Sequence, residues 1–379
     1  MIRRTVPILL SLAAISVSLL MAPQANVTAQ EGAVAQETRK SEQSDPEVVR
    51  GDFGVVSVKF ERGVKISVGN RTTGPIVVVG WDRDFIEASA VSDRGAEAVR
   101  VWTSSDPSDA RILLKADYAD VPIPLTSPVQ QPSTSQWPDL PSIFYSRPRE
   151  ISLEMKVPRY AEIEMITVNR SEVIVSGVET AITVSGARSA IKLSRVGAVE
   201  VRTSSGDVEI EDANGLVDVI TTSGAIVVKN ARSDVRALSL NGRIEIRCAR
   251  GRVDVSNTDG PITLSGVIGD ASATATNSDV RFSGPIRAEG RYYLKSMSGA
   301  VEMETPANSP GFTASLSSYR GGIETDFSLK SNKANTSNSP VNRRLIGRHG
   351  NGQAQITLDS FDGKVRLSKM AADALKDCR

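Results

Sequence analysis

The sequence predicts an all-β chain built as a parallel β-solenoid, β-helix or β-roll in kind, with coils of about 18 residues and a non-repetitive N-terminal β region as its cap. Three observations predict it. Between Gly197 and Met303 the frame Gly-x-apolar-x-apolar returns every nine positions, with Ser233 and Ser278 standing in for glycine. Successive units differ: Gly206, Gly224 and Gly242 follow Thr203-Ser204-Ser205, Thr221-Thr222-Ser223 and Ser239-Leu240-Asn241, whereas Gly215 and Gly251 follow Ala213-Asn214 and Ala249-Arg250. The repeating unit is therefore a pair, and residues eighteen apart should stack one strand spacing apart, roughly 4.8 Å. Third, the columns so formed are apolar throughout. Val208, Ile226, Ile244, Ile262 and Val280 make one, Ile210, Val228, Ile246, Leu264 and Phe282 the next. The opposite unit contributes Val199, Val217, Val235, Val253 and Ala271 beside Val201, Val219, Ala237, Val255 and Ala273.

Alternation at period two with β-branched residues on one side marks short strands with one buried face. Glycine reaches positive φ at the corners without the roughly 1 to 2 kcal/mol that other residues meet there. The neighbouring Ser, Thr, Asn and Asp can bond nearby main-chain groups. No coil closes a core alone, so stability must come from stacking, with both ends capped. The outward column Glu200, Asp218, Arg236, Asp254, Ser272 places Arg236 between two carboxylates.

In chain order, residues 1–29 have a secretory signal layout: Arg3 and Arg4, an apolar run from Val6 to Met21, then small residues with cleavage-like sites after Ala29 or Ala35. Cysteine is absent there, which argues against a lipid anchor. Residues 30–50 are polar and read as a disordered leader. Residues 51–170 form the β cap: Val56, Val58 and Phe60 alternate, as do Val64, Ile66 and Val68, and Ile76 to Val79 runs to Gly80-Trp81. Within it, Asp120 to Arg149 holds seven prolines around Trp137, Phe144 and Tyr145, a density that forbids a strand interior. Residues 171–329 hold the repeats, with Gly284 and Gly290 breaking the beat. Residues 330–351 are polar and expected to be mobile, residues 352–369 return to the frame as a coil closing the far end, and residues 370–379 are a tail.

With 45 basic and 44 acidic residues the chain is nearly neutral, and no basic stripe interleaved with aromatics points to nucleic acid. His349, the only histidine, sits with Arg343, Arg344 and Arg348 on a polar stretch, so a Ser-His-Asp triad is disfavoured. Clustered His or Cys ligands for a metal are absent, and no cofactor is expected. Asp207 and Asp259 stand singly beside turn glycines rather than in calcium-binding runs. Cys248 and Cys378 are the only thiols; a bridge and a free or buried pair both remain open. Glu209 with Glu245, or Glu200 with Asp218, are the column pairs a glycan-cleaving enzyme would need, though acids along a solvated face read the same way.

Several segments together carry a family resemblance. They are the exported start, Val64 to Asn70 leading to Pro75 to Trp81, the Val157-Pro158 step, units such as Ser205 to Ile210, and the closing run Gly350 to Leu367. The likeness spans roughly Phe53 to Ser368 and resembles the bacterial putative adhesin family, a β-solenoid domain of unknown function. The resemblance implies an exported, β-helical, non-enzymatic domain. The expected function is accordingly an adhesin-like binding or scaffold module. Its ligand would be a cell-envelope polysaccharide or protein, its location periplasmic, cell-surface or secreted, with no membrane span after signal cleavage. A polysaccharide-active enzyme on a parallel β-helix and a structural envelope protein are the alternatives. No catalytic, cofactor or metal residue is assigned.

The column assignment predicts that Ile244→Asp abolishes the cooperative thermal transition, because it buries a charge in mid-column. Glu245→Ala, outward on the same strand, should leave the melting temperature nearly unchanged. Equal effects on the two melting curves would show the faces to be misassigned.

Overall fold

Nine residues are enough for a strand of four to seven and one tight corner, so each coil lays one strand in each of two facing sheets. The computed structural model describes residues 47–49, 55–70, 73–93, 95–97, 99–103, 111–116, 150–168, 170–330, 336–337, 343–370 and 378. All belong to one unit, Asp45–Arg379, and contain no helix. The first sheet has 16 strands and the second 15. Val199–Ser205, Val217–Ser223, Val235–Asn241 and Val253–Asp259 are successive strands of the first; Val208–Ala213, Ile226–Lys229, Ile244–Arg247 and Ile262–Ser265 are their counterparts in the second. Pairing is parallel at eighteen residues: Val208 beside Ile226, Ile226 beside Ile244, Ile244 beside Ile262, and likewise Val199, Val217, Val235 and Val253. Every residue of the four predicted inward columns is at most 4% exposed. Full burial of each Val or Ile contributes roughly 1.5 to 3 kcal/mol.

A fifth inward column is polar. At the corner where the first sheet's strands end, Thr203, Thr221, Ser239 and Asn257 point inward and are buried. The hydroxyls of Thr203 and Thr221 donate to the carbonyls of Ser205 and Ser223 at 3.0 and 3.1 Å, and the Asn257 amide donates to Gly260 at 2.9 Å. The Thr-x-Ser-Gly signature thus serves the corner: its first residue donates to a carbonyl of the turn two residues on. Gly206, Gly224, Gly242 and Gly260 follow with φ of 111°, 124°, 135° and 149°. Gly206 sits on Ser189 and each of the other three on the glycine of the coil before it, so a Cβ on Gly242 would fall on the Gly224 carbonyl.

The opposite corner uses a left-handed residue instead. Arg195, Asp212, Asn230, Cys248 and Gly266 occupy that column with φ between 52° and 64°. Cys248 is bridged to Cys378 across 130 residues, and the Cys378 sulfur occupies the space a side chain on Gly266 would need. Closing a loop of that length removes about 4 to 5 kcal/mol of chain entropy from the unfolded state.

The ends depart from simple succession. Lys65–Asn70 and Ile76–Trp81 form a coil that lies between two later ones, one built from Arg111–Ala116 and Ser152–Pro158 and the other from Glu162–Val168 and Val173–Ser176. Beyond it, Val55–Lys59 pairs antiparallel with Phe85–Ser92, and Glu47–Val49 with Val99–Thr103, so the expected N-terminal cap is an antiparallel edge. The expected leader, residues 30–50, therefore ends in a strand. At the other end, two expectations are corrected. Ala354–Ser360 and Val365–Met370 do not close the far end; they slot between the Arg291–Ser296/Val301–Pro306 coil and the Phe312–Ser318/Ile323–Thr325 coil. Part of residues 330–351 is not a mobile insertion, since Arg343–His349 is a strand antiparallel to Phe312–Ser318 and covers its edge. One physical reason serves both ends: a tip coil has a neighbour on one side only, and an antiparallel strand satisfies the open edge. The expected signal segment, residues 120–149, and most of the tail lie outside the described residues.

Gly242→Ala is expected to cost about 1 to 3 kcal/mol through positive φ and the clash with Gly224. Gly284→Ala, where a Cβ would stand 3.4 Å from its nearest neighbour, should be close to neutral. Urea unfolding of the two variants checks this, and equal midpoints would contradict it.

Candidate functional surface

Two outer sheet faces are available, and their charges are arranged differently. On the second sheet outward residues of opposite sign engage one another in several places, between coils and within a strand. Lys229 meets Glu209 at 2.7 Å, Lys192 meets Glu172 at 2.8 Å, Arg281 meets Glu302 at 3.1 Å, and Arg247 grips Glu245 within its own strand. The Lys229 hydrogen bond, then its charge, hold the Glu209 carboxyl below its ordinary value, and the same contact raises Lys229. A general acid for glycoside cleavage needs the opposite shift.

The candidate carboxylate pairs are placed as follows. Val227 stands in register between Glu209 and Glu245, putting them two strand spacings apart, roughly 9.6 Å. Glu200 and Asp218 are direct neighbours, but Glu200 is held by Arg202 at 2.7 Å. Arg236 does lie between Asp218 and Asp254, yet no ion pair forms there among the described residues, and Asp254 reaches Arg252 at 3.7 Å instead.

The turn aspartates bind main chain and side chain of the next coil. Asp207 accepts the Ala225 amide at 2.8 Å, and Asp259 accepts the Asn277 side chain at 2.6 Å. They act as rungs between coils, a longer reach than a turn within one coil. His349 packs against Phe312 and Phe327, with ring centroids 5.2 Å away in each case, and its Nδ1 lies 3.3 Å from the Ser328 carbonyl. As the last residue of the cap strand it packs against the end of the core. Arg343 donates to the Gly321 carbonyl at 3.0 Å, while Arg344 and Arg348 are exposed. Among the described residues no three His, Cys, Asp or Glu side chains converge as a metal site would require.

One surface feature occurs singly in the eighteen-residue columns, at Ser239 and the exposed Leu240, and in a row near the C-terminal end. After Ala275, Ser296, Ser360 and Ser318 resume the polar inward column through the intercalated coil, and each is followed by a large exposed side chain: Met297, Phe361 and Tyr319. Tyr319 and Phe361 stack with centroids 4.7 Å apart and planes 10° from parallel. Arg320 leans over Phe361 and pairs with Asp362 at 3.1 Å. The sequence signal was a serine before a bulky apolar residue, as at Ser239-Leu240, but the adjacent rungs are 297, 361 and 319, an order that only the intercalation creates.

These features define a two-sided parallel β-solenoid with antiparallel caps and a corner stabilised by inward hydroxyls. A family model, Toastrack DUF4097, matches residues 126–368, and the chain belongs to that family. The resemblance to the putative adhesins drawn from Val64 to Trp81 and Gly350 to Leu367 is consistent with this membership. No curated protein matches the chain. Among solved structures, it is similar to a putative cell adhesion protein from Clostridium sporogenes at 8% identity and TM-score 0.20, covering 86% of this chain and 100% of that one. It is also similar to a putative adhesin from Bacteroides fragilis at 11% identity and TM-score 0.27, covering 83% and 95%.

Because the folded Glu209 carboxyl titrates below its ordinary 4.5, its pairing contribution is complete above that value and lost as pH falls through the folded value. Glu209→Gln should therefore melt about 1 to 3 °C below the parent at pH 7, the modest size reflecting solvent exposure. The two melting curves should converge as pH falls through the folded value, and a gap that widens on acidification would contradict the assignment.

Proposed function

We propose that the protein is an exported, non-catalytic binding module of the adhesin kind, which holds a cell-envelope polysaccharide or protein on its sheet surface. The observation that carries this reading is the row of large apolar side chains left on a rigid outer surface. Tyr319 and Phe361 are 41% and 44% exposed although stacked, and Met297 continues the row. A contiguous exposed apolar row on an ordered scaffold is a typical mark of an interaction site, and stacked coils present extended rather than enclosed surfaces. Export is supported by the Cys248–Cys378 bridge, since structural disulfides persist in oxidising compartments, and by the basic, apolar and small-residue order of the first 29 residues.

The test is incubation of the purified protein with envelope glycans and envelope proteins of the producing cell. Co-sedimentation without release of reducing sugar is the expected outcome. Release of reducing sugar that Glu200→Gln or Asp218→Asn abolishes would replace the reading with a glycan-cleaving enzyme.

A further inference from the structure

The outer face of the first sheet changes character near the C-terminal cap. Four strands lie side by side there in the order Arg291–Ser296, Ala354–Ser360, Phe312–Ser318, Arg343–His349. Tyr292, Leu294, Ile356, Leu358, Ala314 and Leu316 are buried, so the alternate positions face outward. Register aligns Tyr293 with Thr357 and Ser315, Lys295 with Asp359, Ser317 and Arg344, and Thr313 with Arg348. The result is a flat patch four strands wide, about 14 Å across, with hydroxyls at its centre and cations around it.

Those cations are not neutralised within the fold. Arg291, Lys295, Arg344 and Arg348 make no ion pair among the described residues, whereas on the second sheet Lys229, Arg281 and Lys364 each meet a glutamate within 3.1 Å. One carboxylate lies within the patch and one at its border: Asp359, between Lys295 and Ser317, accepts the Ser317 hydroxyl at 2.9 Å, and Asp270 accepts the Arg291 main-chain N–H at 3.2 Å. Tyr293 is 41% exposed on the first strand of the patch, beside Thr357, and the Met297, Phe361, Tyr319 row forms its edge. Clustered, unpaired cations raise the local concentration of an anionic ligand. A flat surface with central hydroxyls and flanking aromatic rings suits an extended, hydroxyl-rich chain.

Building on the binding reading, we propose that this face binds an acidic polysaccharide whose uronic-acid carboxylates meet Arg291, Lys295, Arg344 and Arg348. Thr357 and Ser315 take the sugar hydroxyls, and Tyr293 packs on the apolar side of a ring. Arg344 and Arg348 lie four residues apart on one strand, about 13 Å, so they engage separate sugar units of one polymer.

Affinity electrophoresis of the purified protein tests this, with alginate as the linear polyuronate, dextran as the neutral control, and double-stranded DNA and anionic phosphatidylglycerol vesicles as unrelated polyanions. Retardation by alginate and not by dextran is expected, weakened by raised salt. The double variant Arg344→Glu, Arg348→Glu should bind alginate roughly tenfold more weakly with an unchanged melting transition; Lys295→Glu, on another strand, serves if the double variant melts early. Tyr293→Ala should weaken alginate binding and leave any DNA binding as it was. Absence of retardation, equal retardation of parent and charge variants, or DNA or vesicles bound as tightly as alginate would each overturn the proposal. If parent and charge variants co-sediment equally with the cell's own envelope, this face is wrong while the binding reading stands; if neither does, both fall.

Discussion

Everything in this chain depends on parallel, in-register stacking at one strand spacing per coil. A single coil of eighteen residues has two short strands and cannot enclose an interior, so its Val and Ile side chains are covered only by the coils above and below. Each added coil therefore gains apolar burial, main-chain bonds on both strands and a further rung of the polar corner together. That coupling explains why the sequence keeps apolar residues at four positions per coil and a small or hydroxylated residue at a fifth. It also explains why the two corners are built differently. At one, positive φ and the absence of space both require glycine, because Gly206, Gly224, Gly242 and Gly260 rest on one another. At the other, only the backbone angle is demanding, and Asp212, Asn230 and Cys248 tolerate it.

The same coupling makes the ends the weak points, and the chain treats them alike. At both ends a segment close to a terminus is threaded one coil inward, and the outermost coil is made by a stretch nearer the middle of the sequence. An antiparallel strand then covers the exposed edge. The Cys248–Cys378 bridge ties the end of the chain to the middle of the solenoid, so the intercalated coil is held from both its flanks. The serines at 296, 360 and 318 show the join at atomic detail. The Ser360 hydroxyl donates to the Gly299 carbonyl at 2.8 Å while accepting the Gly363 amide at 2.8 Å, and Ser318 donates to the Gly363 carbonyl at 2.9 Å.

The central solenoid was legible because its code is local and periodic: the columns through Val208 and Val199 follow from counting eighteen. The ends were not, because the pairing of Val301 with Val365, or of Lys65 with Arg111, joins segments far apart in sequence, and no period records it. His349 illustrates the consequence. Its polar, arginine-rich surroundings in sequence read as a solvated loop, yet strand pairing carries it onto Phe312 and Phe327. The exposed row Met297, Phe361, Tyr319 was hidden for the same reason. The pairing of Cys248 with Cys378 was left open in sequence, since only the left-handed corner column brings position 248 to the surface beside Gly266. The carboxylate columns were visible, but what they do was not. Arg202 and Lys229, two residues and one coil away from their partners, decide that Glu200 and Glu209 are held as paired anions.

The coil as the unit of folding can be tested most directly by removing one. Deleting Asp207 to Gly224, eighteen residues, joins Gly206 to Ala225 and leaves both intercalated ends and the disulfide in place. The account predicts a protein that still melts cooperatively with an unchanged far-ultraviolet spectrum per residue. Deleting Asp207 to Gly215, nine residues, moves every later strand into the opposite sheet and should leave no cooperative transition. Equal tolerance of the two deletions, or loss of folding in both, would contradict it.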